Sequence, residues 1–228
     1  MLWDDTLPQP ATHAHLRHLL QLHQIDLLID VGANRGQFVR TVRRLGYAGE
    51  IISFEPLASH QAELAAAAGA DGRWRTVRAA LGQAAGERKL HVYRDDTFSS
   101  LHPVNEAGLK RFHGLVIEDH VERVPVHSLD YLWPELTGGA SRRVLLKTDT
   151  QGHDLAVLSG SIEVLRSTHA IMIEAALQPI YVNAPLFAEV AAWLADHGFV
   201  PSGLYPISHR PEDLALIEMD AFFTRPRA

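Results

Sequence analysis

Short apolar runs along the chain alternate with longer segments whose apolar positions recur every three or four residues. "DLLIDV" (26–31), "GEIISFEP" (49–56), "WRTVRAALG" (74–82), "RRVLLKTDTQG" (142–152) and "HAIMIEAA" (169–176) have the length and apolar density of buried strands. Between them, "GQFVRTVRRLG" (36–46), "ASHQAELAAAAGA" (58–70), "HDLAVLSGSIEVL" (153–165) and "APLFAEVAAWLADHGF" (184–199) carry the helical period. In the first of these helices Phe38, Val39, Val42 and Leu45 face inward and Gly46 ends it. "QPATHAHLRHLLQLHQI" (9–25) predicts an N-terminal helix with Leu16, Leu19, Leu20 and His23 along one side. "RKLHVYR" (88–94) alternates as an antiparallel strand does. "VERVPVHSLDYL" (121–132) reads as a strand running into a helix start, and "LALIEMDAFFTRP" (214–226) supplies the closing strands.

Strands alternating with helices predict β-α-β units and a doubly wound, mostly parallel sheet of seven strands in one domain spanning 1–228. Residues 1–24 form a helical extension in this reading. The polar, irregular stretch 95–119 reads as a cover over the site. Ligands of such sheets sit beyond the carboxyl ends of the strands, here marked by "DVGAN", "FEP", "AALG", "KTDTQG" and "IEAA".

Composition narrows the classes. The 228 residues are 46% hydrophobic and 21% charged, which is ordinary for a globular domain. A net charge of −6 gives no basic surface for a nucleic acid. The absence of cysteine removes disulfides, thiolate metal sites and a Cys nucleophile. No apolar stretch reaches the roughly 20 residues of a membrane span, and the N-terminus lacks the pattern of a signal peptide, so a cytoplasmic protein without membrane partners is expected. Oligomerisation is left open.

Gly32 and Gly36 bracket a turn that brings backbone close to a ligand and feeds a helix. Their G-x-x-x-G spacing departs from the G-x-G-x-x-G of dinucleotide sites. Glu55, ending the next strand, is a carboxylate placed to accept hydrogen bonds from a free ribose diol. A tight turn and a solvated acid are the bland alternatives.

"IDVGANRGQFVRTVRRLGYAGEIISFEP" strongly resembles the S-adenosylmethionine site of class I methyltransferases of the FkbM type. The resemblance continues through "VRAALG", "FSSL", "VPVHSLD", "LLKTDTQGHDLAVLSG" and "IMIEAALQPIY", and covers residues 25–199. It implies that Asp30, Gly32, Asn34 and Gly36 hold the methionine end of the cofactor. It also implies that Glu55 takes the ribose hydroxyls, Pro56 shapes the adenine pocket and Ala80 lies against the adenine edge. It implies further an acceptor hydroxyl on a sugar or another natural-product scaffold, a small molecule in either case.

An aliphatic hydroxyl needs a base or a metal when it attacks a methyl sulfonium. Asp149 is the first candidate, with pairing to Lys147 as its structural alternative. His153, at the next helix start, titrates near neutrality and is a second. Glu174 ends the neighbouring strand and, with Asp149, could hold Mg²⁺ through oxygen ligands. Ser99 and Ser100 match the serine-bearing segment of that family, which implies that they reach cofactor or acceptor, with a turn of hydroxyl residues as the alternative; Gln178 and Tyr181 are expected to line the acceptor pocket, with packing as the alternative for Tyr181. His13, His15 and His18 cluster without a closed ligand set. Two rival readings remain: a nicotinamide-dependent oxidoreductase, disfavoured by the missing glycine, and a non-catalytic nucleoside binder.

Overall fold

The computed structural model describes residues 9–226, to which every structural statement below refers. In chain order the elements are α1 (Gln9–Leu22), β1 (Leu27–Val31), α2 (Gln37–Arg44), β2 (Glu50–Phe54), α3 (Gln61–Gly69), β3 (Trp74–Val77), β4 (Ala80–Leu81), β5 (Gly86–Tyr93) and α4 (Glu106–Arg111). They continue with β6 (Glu118–His127), α5 (Leu129–Thr137), β7 (Val144–Thr148), α6 (Asp154–Ser159), α7 (Ile162–Leu165), β8 (Thr168–Ala176), α8 (Phe187–Asp196), β9 (Val200–His209) and β10 (Leu216–Thr224).

The main sheet has seven strands in the order β3-β2-β1-β7-β8-β10-β9. Its first five members are parallel, while β10 runs antiparallel to both β8 and β9. All five residues of β1 and of β7 are buried, as the apolar runs require of central strands covered on both faces. One face packs Leu27, Ile29, Leu146 and Ile171 against Val157, Leu165 and Leu194. The other packs Leu28, Ile51 and Leu145 against Leu16, Leu19, Val39 and Val42, so α1 is part of the core. From β1 the chain proceeds outward to β2 and β3, and later from β7 outward to β8. The winding therefore reverses between β1 and β7, where helices on opposite faces part and a crevice opens at the strand ends.

Four expectations change. "WRTVRAALG" is two strands: β3 stays in the main sheet, while β4 joins β6 and β5 in a separate three-stranded sheet. "HDLAVLSGSIEVL" is two short helices. Gly160 stands between them, at a place where a Cβ would lie 2.1 Å from the carbonyl oxygen of Gly82. "LALIEMDAFFTRP" provides one closing strand, β10, and its partner β9 comes from 200–209, a stretch with Pro201, Gly203 and Pro206 that the pattern left unassigned. β9 is an edge strand, where prolines are tolerated because one row of backbone groups has no ladder to join. The stretch 95–119 is not wholly irregular, since it holds a 3₁₀ turn at Asp96–Phe98, the helix α4 and the first residues of β6.

Candidate active site

A cavity of about 820 Å³ opens at the carboxyl ends of β1, β2, β7 and β8. The turn after β1 enters it through three residues in the left-handed region, Gly32 (φ 79°), Asn34 (φ 48°) and Gly36 (φ 80°). The glycines answer to protein rather than to ligand. A Cβ on Gly32 would stand 2.0 Å from the Asp149 carbonyl oxygen, and one on Gly36 would meet the Trp74 ring at 2.6 Å. The turns after β1 and β7 are thus pressed together, and the expected close approach is to neighbouring backbone and ring.

Glu55 closes β2 with both oxygens engaged. Oε2 accepts from the Asn34 amide at 2.8 Å and Oε1 from the Leu57 amide at 2.8 Å, so the carboxylate ties two strand-end turns together. Two of its four lone-pair positions remain open. Burial pushes its carboxyl up, against these two backbone donors and the nearby His60. Pro56, Leu57, Ala80, Leu81 and Leu90 form an apolar wall beside it.

Asp96, from the segment above the site, accepts from Arg35, from His60 Nε2 at 3.0 Å and from the Asn34 amide nitrogen at 3.3 Å. Burial works against its charge, but His60, Asn34 and Arg35 hold its carboxyl below the usual range. Sequence reasoning missed Asp96 and His60, because they lie in a turn and a short helical turn without motif spacing. Ser99 lines the cavity, with its Oγ buried and without a hydrogen-bond partner, and Ser100 Oγ donates to the Gln151 carbonyl at 2.7 Å.

Behind the wall runs a buried polar chain. Trp74 Nε1 donates to Ser53 Oγ at 3.0 Å, and Ser53 donates to Asp30 Oδ2 at 3.0 Å. Asp30 Oδ1 stands 3.0 Å from Lys147 Nζ, which also donates to the Gly32 carbonyl at 3.0 Å and lies 3.5 Å from Asp149. Burial works to discharge Lys147, but the Asp30 and Asp149 carboxylates outweigh it and hold the ammonium protonated. Asp30 is fully buried and does not reach the cavity, so the expected direct contact with a ligand is corrected to a support of Lys147. Gly36 likewise lies outside the cavity wall.

At the other side, Gln151 (φ 53°) bridges the two candidate catalytic acids. Its Nε2 donates to Asp149 Oδ1 at 3.0 Å and to Glu174 Oε1 at 2.9 Å. An amide therefore occupies the place between the carboxylates where a cation was expected, and among the described residues no group of three or more His, Asp or Glu side chains is arranged to hold a metal ion. This leaves the Mg²⁺ expectation without support. Tyr181 Oη lies 2.7 Å from Gln151 Oε1 and 3.0 Å from the Phe98 carbonyl. Tyr181 and Gln178 do not line the cavity: the first braces Gln151 from behind, and the second accepts from Arg111 at 2.7 Å. Burial drives Glu174 well above the usual range, with Asp149, Glu218 and Asp220 adding to the rise.

His153 caps α6, with Nδ1 3.0 Å from His102 Nε2. Burial first, and His102 next, push it down to about 4, so at neutral pH it is an uncharged ring of low basicity.

Sheet order, switch-point cavity and strand-end acids together define a Rossmann-like α/β protein of class I methyltransferase architecture. The model of the methyltransferase FkbM domain matches residues 30–201, and the chain belongs to that family. Among solved structures, methyltransferase FkbM from Methylobacillus flagellatus superposes with a TM-score of 0.54 at 11% identity, over 86% of this chain and 43% of that one. The chain thus spans less than half the length of that relative. The 1,6-didemethyltoxoflavin-N1-methyltransferase of Burkholderia thailandensis gives 0.51 at 13% identity, over 98% and 80%. Precorrin-6y C5,15-methyltransferase of Geobacter metallireducens gives 0.50 at 11% identity, over 99% and 94%. These likenesses carry the fold, and no curated protein matches the sequence significantly. Among the described residues no helix is long and apolar enough to cross a membrane.

Proposed function

We propose that the protein is an S-adenosylmethionine-dependent O-methyltransferase whose acceptor is a hydroxyl of a small molecule, a sugar or another natural-product scaffold. The observation that carries this reading is the division of one cavity into two chemically distinct sides. On one side are the turn Gly32–Asn34, the buried Glu55 and the apolar wall of Pro56, Leu57 and Ala80; on the other are Asp149 and Glu174, bridged by Gln151. The donor set fits a nucleoside cofactor. Glu55 keeps two free lone-pair positions for a ribose diol, and the apolar wall suits adenine. Gly32 and Asn34 would line the amino-acid end, with Asp30 and Gly36 supporting them from behind.

Bound S-adenosylmethionine would supply an electrophilic methyl group; what remains for the chain is positioning and proton removal. Asp149 receives the hydroxyl proton, with Gln151 fixing its place beside Glu174 and Lys147 3.5 Å away. His153 stays neutral and orients with His102. The Burkholderia structure holds S-adenosylhomocysteine and a small-molecule acceptor together in the same fold, which supports a small acceptor here.

Titration calorimetry of the full chain with S-adenosylhomocysteine and with NAD⁺ tests the reading. S-adenosylhomocysteine should bind and NAD⁺ should not, and Glu55→Gln should weaken binding by about tenfold or more, because its amide meets one of the two backbone N–H groups as a donor. Asp149→Asn should keep that affinity while lowering methyl transfer by about 10²-fold or more. Preference for NAD⁺ would return the chain to the oxidoreductase reading. Undiminished transfer in Asp149→Asn would remove that residue from the chemistry.

A further inference from the structure

Residues 96–101 run along the cavity, and every one of them lines it. The segment is pinned at several points. The Ser100 hydroxyl donates to the Gln151 carbonyl in the turn after β7, and the Ser100 backbone pairs with His91 of β5. The Phe98 carbonyl accepts from Tyr181 at 3.0 Å. On the cofactor side the anchor is the Asp96 carboxylate.

Asp96 gathers donors from two separate turns. The Arg35 guanidinium and the Asn34 side-chain amide come from the turn after β1, and His60 Nε2 comes from the short helical turn 58–60 after β2. These are the turns that Glu55 joins through the Asn34 and Leu57 amides. One pair of turns is thus held twice, by Glu55 from the sheet and by Asp96 from the cover. His60 stands between the two acids. It is fully buried, with Nε2 3.0 Å from Asp96 and Nδ1 3.8 Å from Glu55, and among the described residues Nδ1 has no hydrogen-bond partner. A buried ring nitrogen without a partner costs stability, and packing alone would be served by an apolar side chain. Arg35 is exposed and has a second partner in Glu63 at 3.4 Å, so the buried His60 contact carries more of the hold on Asp96. Asn34 sits at φ 48°, a conformation that asparagine tolerates but that its neighbours must fix, and its Nδ2 bond to Asp96 does so from the cover.

We infer that Asp96 is a positioning residue for the cofactor: through Asn34, Arg35 and His60 it clamps residues 96–101 onto the two turns that hold the nucleoside. The inference rests on the methyltransferase reading and adds Asp96 and His60 to its machinery. The clamp converges on one carboxylate, so removing it releases that end of the cover from both turns at once. Its effect falls on the release of the cofactor, because the cover shields a ligand already bound and leaves the encounter unchanged.

The test is surface plasmon resonance with the full chain immobilised and S-adenosylhomocysteine as analyte. Asp96→Ala should release it at least about tenfold faster, loss of measurable binding included, with association within about threefold of the parent. Asp96→Asn keeps the size without the charge. It should move release in the same direction, which covers the case of a poorly folded alanine variant. His60 separates the clamp from packing: His60→Leu should speed release about fivefold or more, while His60→Gln, with an amide nitrogen in place of Nε2, should stay within about twofold of the parent. Glu63→Ala removes only the outward partner of Arg35 and should leave release unchanged. A purely structural role would lower the melting temperature of the unliganded variants without changing release from the folded chain. That result overturns the inference, as does equal release from His60→Leu and His60→Gln, or faster release from Glu63→Ala. Failure of S-adenosylhomocysteine to bind the parent would instead overturn the methyltransferase reading.

Discussion

Lys147 pairs with the acid that alternation along its strand offers and, more closely, with one from the neighbouring strand. Alternation along "LLKTDT" places Lys147 and Asp149 on one strand face, and they do lie 3.5 Å apart. The stronger bond is to Asp30, on the neighbouring strand, whose register partner is Lys147 itself. Asp30 and Lys147 are both buried, so removing either leaves an uncompensated charge in the core. Lys147→Met should destabilise the protein by about 3–5 kcal/mol, as Asp30→Asn should, though by less. The double variant should lose distinctly less than the sum of the singles, because each then removes what the other left unpaired. Denaturant titrations of the four proteins measure this coupling; additive losses would mean that the pair does not act as a unit.

At the scale of elements, the strands and the amphipathic helices were legible because burial on both faces leaves an unbroken apolar run, and one-sided burial leaves a helical period. Turns that form contacts with other turns were legible as glycines but not in their reason. Gly32 and Gly160 each lie against a backbone carbonyl that arrives from far along the chain, that of Asp149 and that of Gly82. Gly160→Ala should therefore cost about 2–4 kcal/mol, through a steric conflict with backbone that has nowhere to move. Gly69→Ala, where nothing lies within 4 Å of the added carbon, should be neutral or slightly stabilising. Melting temperatures of the two variants compare them directly, and an equal response would refute the steric account. The strand β9 escaped notice for a different reason: an edge strand tolerates proline and glycine that a central strand would not.

For the whole molecule, an acid of the cavity wall sets a pH dependence. Burial, with the nearby Asp149 charge, pushes Asp220 up to about 7, while in the unfolded chain its carboxyl titrates near the ordinary value of about 4. Between those values the folded chain holds a proton that the unfolded chain has lost, so raising the pH through this window lowers stability. His153 acts in the opposite sense. Its folded value of about 4 lies below the ordinary 6.5, so stability falls as the pH drops between them. Asp220→Asn isolates the first contribution. The variant should gain on the parent as pH rises from about 4 to 7 and level off above, by about 1–3 kcal/mol at pH 8. A stability difference that stays flat with pH would show that Asp220 is ionised in the folded chain throughout.

The sequence by itself determined most of the sheet-and-helix order, the strand ends that open on the cavity and the family. These depend on local periodicity and on motifs whose members stand close together in the chain. Tertiary structure decided which of those residues face the cavity. It set Asp30 behind the wall, put Gln151 rather than a cation between Asp149 and Glu174, moved Tyr181 to a brace, and brought in Asp96, Glu218 and Asp220 from distant segments. The physical reason is that a side chain's role here depends on register between strands separated by up to about two hundred residues and on which turn presses against which. Neither leaves a mark in the spacing of neighbouring residues.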